Sequence, residues 1–590
     1  DCWYCSVENV KVVDITGYGG QHGVAEDSKG WLTFFHESLP KFAPGGIDRK
    51  TGEVDLADKF QFTTGFKDLA KITGANGKGR GRLQISKLLG YQGVATRSWQ
   101  MTVAWYDAAK KFLSAETAWQ YREMWIPEGA AYIRVSVEEE SAEAAEKAGA
   151  PQGSVSCLSL ASMAGCQELM GAAQVKLTGK ILNENYLGLG VAITGSSCYL
   201  LNQMDKESRR ALLEHVYGKE GANLSVGRLT IASSDYSAEL YSYDDVPNDI
   251  ELKHFSIDRD REYVIPMIKE ILEVRPDLYI YASPWSPPAW MKTGGSLCGG
   301  FMREEYLECY ADYIIKYLEE YEKFGIHISA LTPQNEPETL QKNQMPACVW
   351  HPDHEAKYIS ILRRKLTEKG MNTEIWMYDY NFNNWHRPLW CLDTHKHLLE
   401  DCQAVAFHYY TGAIEDTAPL HEAYPQMKLH FTEGGPRLFE HYSDDWCKWT
   451  GMMAKTMTNH FSSFTGWNLL LDENGNPNIG PHPCGGLVTR NSRDGSLSYS
   501  GQFKSFMHTA RFMQKGAKIL EFELKKCVSK YYGGDEDIVM SVFENPDGSH
   551  VYVFVNGGTE KKQVQIEERG QLYYLLLLPD SASTVVFDFN

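Results

Sequence analysis

Between residues 186 and 510, short apolar runs alternate with amphipathic segments. In one of these segments Tyr310, Ile314 and Tyr317 recur at three- and four-residue spacing, which predicts a helix with buried tyrosines. Eight apolar runs predict strands at 187–194, 225–232, 278–282, 328–332, 374–378, 404–408, 428–432 and 464–469. Eight strand-then-helix units over about 320 residues are typical of a (β/α)8 TIM barrel, which we place at 186–512.

Patterns of period two flank this barrel on both sides and predict β structure. Met101 and Trp105 belong to such a run in an N-terminal β-rich domain, which we place at 1–150. Residues 151–185 are expected to form a linker. A C-terminal side β-sandwich is expected at 513–590, with strands at 521–525, 537–543, 550–555 and 584–589. The predicted fold class is therefore α/β, with two additional β-rich units.

Length, charge and cysteine content narrow the class of protein. The chain has 590 residues, enough for two or three domains. Lysine plus arginine total 58 and aspartate plus glutamate total 77, so the net charge is 58 − 77 = −19, which argues against a nucleic-acid binder. No apolar stretch of the sequence reaches the roughly 18 residues of a membrane span. Thirteen scattered cysteines favour a reducing, cytoplasmic compartment over secretion and leave export open.

Polar and aromatic residues follow the predicted strands, at the edge where the βα loops of a barrel converge. Glu336 follows the fourth strand and Glu433 ends the seventh, 433 − 336 = 97 residues apart, so both can reach one rim. His408 and Tyr410, at the sixth strand end, are substrate-binding candidates, and His408 could instead orient Glu433. Retaining glycosidases use two carboxyl groups about 5–5.5 Å apart. With tryptophans on the same rim, the pattern predicts a sugar site.

Five motifs in a fixed order carry a family resemblance. They are RLTIASSDYS at 228–237, ASPWSPPAWMKT at 282–293, TPQNEP at 332–337, FTE at 431–433 and GWNL at 466–469. On these motifs the chain resembles glycoside hydrolase family 30, which includes glucosylceramidases. The resemblance extends over roughly residues 160–590 and implies that a strand near 175–181 completes the sandwich beside the barrel.

The resemblance also implies roles for individual residues. Glu336 matches the acid/base and Glu433 the nucleophile, so Glu433 must be ionised while Glu336 holds a proton. Four residues match the sugar-binding subsite: Asp235, Trp285, Asn335 and Trp467. Of these, Asn335 can hydrogen-bond the sugar 2-hydroxyl. No cofactor and no catalytic metal are implied, and the expected partner is a carbohydrate.

The favoured substrate is a β-D-glucoside, hydrolysed by double displacement. A β-1,6-glucanase, a β-xylosidase or a β-fucosidase is an alternative within the family, and a non-catalytic carbohydrate-binding protein is an alternative of another class. The segment 188–197 lacks the aspartate that the family usually has there, which weakens the expectation of a sugar contact. The N-terminal domain is either a structural or homo-oligomer-forming unit, or a carbohydrate-binding module that uses Trp99, Trp105, Trp119 and Trp125.

Three further motifs favour structural roles. Cys2 and Cys5 form a single C-x-x-C pair without a second pair at metal-binding spacing. The glycine-rich segment 74–81 lacks the Gly-Lys-Ser/Thr ending of a phosphate-binding loop. Gly188 and Gly190 lack the third glycine of a dinucleotide fingerprint and predict close backbone packing in the first barrel strand.

Overall fold

The structure is a computed structural model, which describes residues 10–13, 30–38, 42–56, 61–69, 82–89, 100–119, 123–138, 152–162, 173–525, 538–558, 562–578 and 580–588. Within these ranges the strands before the barrel are β1 (Val10–Val13), β2 (Gly30–Ser38), β3 (Phe42–Pro44), β4 (Gly46–Ile47), β5 (Val54–Asp55), β6 (Gln61–Thr64), β7 (Lys67–Asp68), β8 (Arg82–Leu89), β9 (Gln100–Tyr106), β10 (Phe112–Trp119), β11 (Glu123–Trp125), β12 (Tyr132–Glu138), β13 (Gln152–Ser162) and β14 (Ala173–Asn183).

Most N-terminal strands lie in two antiparallel sheets. One sheet has the order β10-β9-β12-β6-β3, with β7 paired to β12, and the other has the order β11-β8-β13-β2. Because β13 pairs with both β2 and β8, this β region continues to residue 162, past the boundary predicted near 150.

The tryptophans of the N-terminal region were candidates for sugar binding. Trp105 is 1% exposed and its Nε1 donates to Glu116 Oε1 at 3.3 Å, so it is a core residue and not an open platform. Trp119 and Trp125 lie on β10 and β11. Trp99, the Cys2–Cys5 pair and the segment 74–81 lie outside the described residues.

Eight parallel strands close into a barrel: β15 (Gly188–Ile193), β16 (Val226–Ile231), β17 (Tyr279–Pro284), β18 (Ala330–Leu331), β19 (Glu374–Asn381), β20 (Ala404–His408), β21 (Lys428–Glu433) and β22 (Phe461–Gly466). The predicted (β/α)8 barrel is confirmed, and each predicted run overlaps one strand. The last strand begins 464 − 461 = 3 residues earlier than predicted. It ends at Gly466 because Asn468 has a φ of 63° and the Trp467 N–H donates to Gly434 O at 2.9 Å, which turns the chain onto the rim.

Helices pack around the barrel strands. They are α1 (Gly195–Asn202), α2 (Lys206–Tyr217), α3 (Asp258–Glu262), α4 (Val264–Val274), α5 (Leu307–Glu322), α6 (Pro352–Glu368), α7 (His386–Thr394), α8 (Leu398–Asp401), α9 (Ala418–Ala423), α10 (Trp446–Thr458) and α11 (Gly501–His508). The tyrosines of α5 are buried in the main core, as their spacing predicts. No helix in the described part of the chain combines the length and the apolar composition that crossing a membrane requires.

Close packing between β15 and β16 depends on a glycine. A Cβ atom on Gly190 would lie 1.9 Å from the carbonyl oxygen of Val226, so only glycine fits between these two strands. The predicted backbone approach at this position is confirmed.

The strands after the barrel are β23 (Leu470–Leu471), β24 (Val488–Arg490), β25 (Leu497–Tyr499), β26 (Lys518–Lys525), β27 (Val539–Glu544), β28 (His550–Asn556), β29 (Lys562–Glu568), β30 (Gln571–Leu577) and β31 (Ser581–Phe587). Six of them join two earlier strands in a sheet of order β1-β31-β28-β27-β26-β14-β29-β30. Val175, Phe554 and Leu575 come from different parts of this sheet and share one core, so the sheet folds over itself as the side sandwich.

Candidate active site

A cavity of about 370 Å³ opens at the C-terminal ends of the barrel strands. Seven of the eight candidate residues from the sequence line it: Asp235, Trp285, Asn335, Glu336, Tyr410, Glu433 and Trp467. The eighth, His408, lies beneath the cavity floor and is fully buried. One concave site therefore collects residues from six different strand ends.

Strand ends fix the position of these side chains. Glu433 is the last residue of β21, while Trp285 and Trp467 directly follow β17 and β22. Asp235 lies in the loop after β16, where its carbonyl oxygen accepts a hydrogen bond from the Ile479 N–H at 2.8 Å. The loops are thus tied to one another at the rim, which keeps the site rigid.

The loop after β18 carries Asn335 and Glu336. The Asn335 N–H donates to Pro284 O at 2.8 Å, and the Glu336 N–H donates to Asp379 O at 3.0 Å. Glu336 and Asp379 have φ angles of 52° and 58°, in the left-handed region that side chains rarely adopt. These hydrogen bonds between neighbouring strand ends hold both residues in that conformation.

Arg228, on β16, organises the floor of the site. Its guanidinium group donates to Glu433 Oε2, to Asn335 Oδ1 at 2.7 Å, to Asp379 Oδ2 at 2.9 Å and to Ser283 Oγ at 3.2 Å. The side chain is fully buried, so its charge is balanced by carboxylates and not by water. Its position also fixes the orientation of the Glu433 carboxylate.

Asp379 is the second anion that Arg228 pairs with. Its carboxylate also accepts hydrogen bonds from Thr332 Oγ1 and Thr432 Oγ1, each at 2.7 Å, and from His408 Nε2 at 3.0 Å. Burial alone would raise the pKa of Asp379, but the charges of Arg228 and His408 outweigh it and hold that pKa below its usual value. Asp379 is therefore ionised and anchors both cations.

His408 connects Asp379 to Glu336. Its Nε2 lies 3.0 Å from Asp379 Oδ1 and its Nδ1 lies 3.1 Å from Glu336 Oε1. Burial would lower the pKa of His408, but the negative charges of Glu433 and Asp379 outweigh burial and raise it to about 9. Both ring nitrogens then donate. His408 was a candidate sugar contact, but it is fully buried and does not line the cavity, and its ring nitrogens face Asp379 and Glu336.

The two candidate catalytic carboxyl groups face each other. A side-chain oxygen of Glu336 and one of Glu433 lie within 4.8 Å of each other. Arg228 forms ion pairs with the carboxylates of Glu433 and Asp379, and His408 forms one with Asp379. This distribution suits a pair in which one carboxyl attacks and the other donates a proton.

Tyr410 and Asp235 adjoin this pair. The Tyr410 hydroxyl donates to Glu433 Oε1 at 2.8 Å, and burial followed by the charge of Glu433 raises the pKa of Tyr410, so it remains a donor. Burial, followed by the charges of Glu433 and Glu336, raises the pKa of Asp235 well above its usual value. Asp235 Oδ1 is buried and has no hydrogen-bond partner among the described residues. It is therefore available to a polar ligand.

Asn335 and the tryptophans form the remaining inner wall. Because Arg228 can only donate, Asn335 Oδ1 must be the acceptor, which leaves the Asn335 amide N–H groups for a ligand. Trp285 and Trp467 stack with ring centroids 5.2 Å apart and planes inclined by 21°. The Arg228 guanidinium carbon lies 4.9 Å from the Trp285 ring centroid, which orients both rings.

Glu336, His408 and Glu433 also present three ligand atoms within 4.8 Å of one another, a spacing at which a metal ion can bind. Both nitrogens of His408 already face carboxylates, and its raised pKa favours the protonated form, which cannot ligate a metal. The Glu433 carboxylate is already paired with Arg228. The chemistry of this group is therefore that of an ion-paired acid–base site.

Sequence reasoning missed Arg228 and Asp379 as site residues. Both carried a signal, since Arg228 is a charged residue within an apolar strand and Asp379 is a carboxylate at a strand end. It also missed Gln341, Asn381 and Phe439, which line the outer cavity. Gln341 and Phe439 lie on loops whose path no periodic pattern indicates.

Comparisons with known proteins agree with this geometry. The profile described as "Glycosyl hydrolase family 30 TIM-barrel domain" matches residues 186–482. The endo-1,6-beta-D-glucanase of Neurospora crassa is 29% identical over 415 residues, which is 68% of this chain and 84% of that protein. The putative glucosylceramidase 3 of Caenorhabditis elegans is 30% identical over 362 residues, 57% of this chain and 68% of that protein. The solved structure of the endo-beta1,6-glucanase BT3312 has a TM-score of 0.65 and 25% identity, covering 70% of this chain and 94% of that one.

Proposed function

Because the chain belongs to glycosyl hydrolase family 30, we propose that this glycosidase hydrolyses β-D-glucosides with retention of configuration, with Glu433 as nucleophile and Glu336 as acid/base. The observation that carries the proposal is the approach of these two carboxyl groups to within 4.8 Å on one cavity. Retaining enzymes place the pair about 5–5.5 Å apart, whereas inverting enzymes need about 6.5–9.5 Å to admit a water molecule.

The surroundings of each carboxyl group support its proposed role. Glu433 receives hydrogen bonds from Arg228 and Tyr410, which orient a charged carboxylate for attack. Glu336 Oε1 is held by the buried His408, whereas Oε2 is held by Gln341, a residue of the cavity lining, so Oε2 is the oxygen placed to exchange a proton with a substrate. Asn335 lies beside both groups, where its amide can donate to a sugar hydroxyl.

The proposed reaction has two steps. In the first, a Glu433 oxygen bonds to the anomeric carbon, the bond to the leaving oxygen breaks, and the Glu336 proton passes to that oxygen. In the second, a water oxygen bonds to the anomeric carbon, the bond to Glu433 breaks, and a water proton returns to Glu336. Both carboxyl groups end in their starting states.

The names of the relatives support glucose as the sugar that is cleaved off. An endo-1,6-beta-D-glucanase and a putative glucosylceramidase differ in the leaving group, but both names specify a glucosyl unit. A β-1,6-glucan is the second candidate substrate, because both a curated relative and a similar solved structure carry that activity in their names.

A panel of aryl β-glycosides tests this function. We expect wild-type protein to prefer the β-glucoside over the β-xyloside, β-fucoside, β-galactoside and β-glucuronide. Glu433→Gln should lower kcat by a factor on the order of 10⁴, because the attacking oxygen is replaced by a poor nucleophile. Glu368→Gln, a change at an exposed glutamate on α6, is the matched control and should leave kcat unchanged.

Two further measurements separate retention from the alternatives. Proton NMR of the first turnovers should show the β anomer of the released sugar first. Glu336→Ala should regain activity with azide, which replaces the incoming water and needs no general base. Initial release of the α anomer would refute retention, and equal inactivity of wild type and Glu433→Gln with retained glycan binding would favour a carbohydrate-binding protein.

A further inference from the structure

The cavity lining divides into two parts around Glu336. The inner part holds the tryptophans, Asp235 and Glu433, and surrounds the anomeric carbon in the proposed reaction. The outer part has no role in that reaction and is formed by Asn381, at the end of β19, and by loop residues: Gln341, Arg437, Phe439, Glu440 and His482. We call this outer part the mouth.

The mouth lies on the leaving-group side of Glu336. Glu336 Oε1 faces the buried His408, while Oε2 accepts a hydrogen bond from the Gln341 amide. Gln341 Oε1 in turn lies 3.1 Å from His482 Nε2, which joins the loop after β18 to the loop between β23 and β24. Because Oε2 is the oxygen that passes its proton to the leaving oxygen, a leaving group would displace the Gln341 amide and lie between these loops.

One buried polar atom in the mouth, Asn381 Oδ1, lacks a hydrogen-bond partner within the described part of the chain. Asn381 as a whole is 6% exposed. A buried acceptor without a partner is costly unless a ligand supplies a donor. Arg437 and Glu440 pair at 3.2 Å and remain about half exposed, so they keep the surface around the mouth polar.

Phe439 adds an aromatic face to this polar surface. Its side chain is 60% exposed although it lines the cavity, and it lies between Arg437 and Glu440 in the loop that follows Glu433. An exposed phenylalanine at the edge of a polar cavity contributes little to folding, because it is not removed from water. It offers a flat surface to the C–H face of a ring.

We infer that the mouth is a binding subsite for a sugar residue, so that the leaving group of the preferred substrate is a sugar and not a lipid. Phe439 stacks on the ring of that sugar, and Asn381 Oδ1 and the Gln341 amide bind its hydroxyl groups. This inference rests on the proposed β-glucosidase function. A lipid leaving group would place acyl chains against the Arg437–Glu440 ion pair, where they would remove charged side chains from water.

Substrates that differ only in the leaving group test the inference. We compare β-glucosyl fluoride, whose leaving group is too small to reach Phe439, with a β-1,6-linked glucose disaccharide and with glucosylceramide in detergent micelles. Phe439→Ala should lower kcat/KM about tenfold for the disaccharide, as expected for the loss of one stacking contact, and less than twofold for the fluoride. Phe301→Ala is the matched control, since Phe301 is 50% exposed and lies outside the cavity lining.

The outcomes are separable. An equal loss on the fluoride and the disaccharide, or no loss on either, would overturn the subsite. A higher kcat/KM of wild type for glucosylceramide than for the disaccharide would also overturn it, in favour of a lipid leaving group. Failure of wild-type protein to hydrolyse the fluoride would instead refute the proposed β-glucosidase function, and with it the inference.

Discussion

Arg228 neutralises two buried carboxylates with one guanidinium group. An arginine carries its N–H donors in a planar fork, so one arginine side chain can bond to several acceptors at fixed positions. A lysine has one compact ammonium group and cannot span the same acceptors. Here the fork reaches Glu433, Asn335 and Asp379 at the same time. The proposed nucleophile Glu433, the amide of Asn335 and the anchoring carboxylate of Asp379 therefore keep fixed relative positions before any substrate binds.

We predict that Arg228→Met lowers both stability and activity. Asp379 would lose its arginine and keep only His408 as a cation, and Glu433 would lose its orienting donor, a loss of about 3–5 kcal/mol in the free energy of unfolding. Thermal unfolding and kcat measure the two effects. Arg210→Met is the control, because Arg210 is an exposed partner of Glu214 and its loss should cost less than about 1 kcal/mol. Equal effects of the two substitutions would contradict this assignment.

His408 gives the fold a dependence on pH. Its pKa is raised to about 9 in the folded protein, whereas an unfolded histidine titrates near about 6.5. Its stabilising contribution is therefore complete below about pH 6.5 and declines as the pH rises to about 9. We expect the Tm of wild type to fall across this window more steeply than that of His408→Gln. Parallel Tm curves for the two proteins would show that the charged histidine does not stabilise the fold.

At the residue scale the sequence predicts the carboxyl pair and most of the inner cavity wall. Glu336 and Glu433 could be found because each directly ends or follows a recognisable strand. Arg228 and Asp379 could not be assigned roles in this way, since their importance lies in contacts with each other and with His408. Phe439 could not be predicted either, because its exposure depends on the path of a loop.

Among the elements, β15 and β16 show how strictly the barrel constrains one position. Gly190→Ala would bring its Cβ to 1.9 Å from the Val226 carbonyl oxygen, and backbone cannot yield without moving both strands. We predict a loss of at least about 2 kcal/mol in the free energy of unfolding, measured by denaturant titration.

Gly195→Ala is the matched control for this change in the same βα unit. There the nearest atom to a new Cβ is Ser237 Oγ at 3.2 Å, a side-chain atom that can shift by a small amount. We expect a change well under 1 kcal/mol. If Gly190→Ala proves as mild as Gly195→Ala, close strand approach is not what requires glycine in β15.

The strands of the barrel, which are buried on both faces, were predicted better than the strands of the side sandwich. The barrel strands are continuous apolar runs because helices and the barrel interior cover both faces, so all eight could be recognised. The hairpin of β29 and β30 was missed, since glutamates at the end of β29 and a nearly unbroken apolar run in β30 hide the alternation. The start of β22 was missed because Ser462 and Ser463 interrupt the apolar pattern, and its end was placed too late because Trp467 and Leu469 are apolar.

For the whole molecule, β14 links the barrel to the side sandwich. It precedes the barrel in sequence but lies inside the sheet, antiparallel to β26 and parallel to β29. A fragment 186–590 would lack this strand and expose the hydrogen-bonding edges of both neighbours. We predict that it aggregates, whereas a fragment 173–590 remains soluble and active. Size-exclusion chromatography and activity on the aryl β-glucoside measure the difference.

A soluble and active fragment 186–590 would show that the side sandwich closes without β14. The match with the endo-1,6-beta-D-glucanase of Neurospora crassa covers 68% of this chain and 84% of that protein. Both fragments lack β1 and the two N-terminal sheets, so they differ only in the segment that carries β14.

The left-handed backbone at Glu336, Asp379 and Asn468 bears on how this enzyme could be made to tolerate heat. Each such residue costs roughly 1–3 kcal/mol, and all three lie on the rim where the cavity opens. Replacing them with glycine would relax the chain yet remove the proposed acid/base Glu336 and the carboxylate of Asp379 that pairs with Arg228 and His408. Efforts to raise the working temperature should therefore turn to outer helices and surface turns, where gains in rigidity leave the reaction untouched.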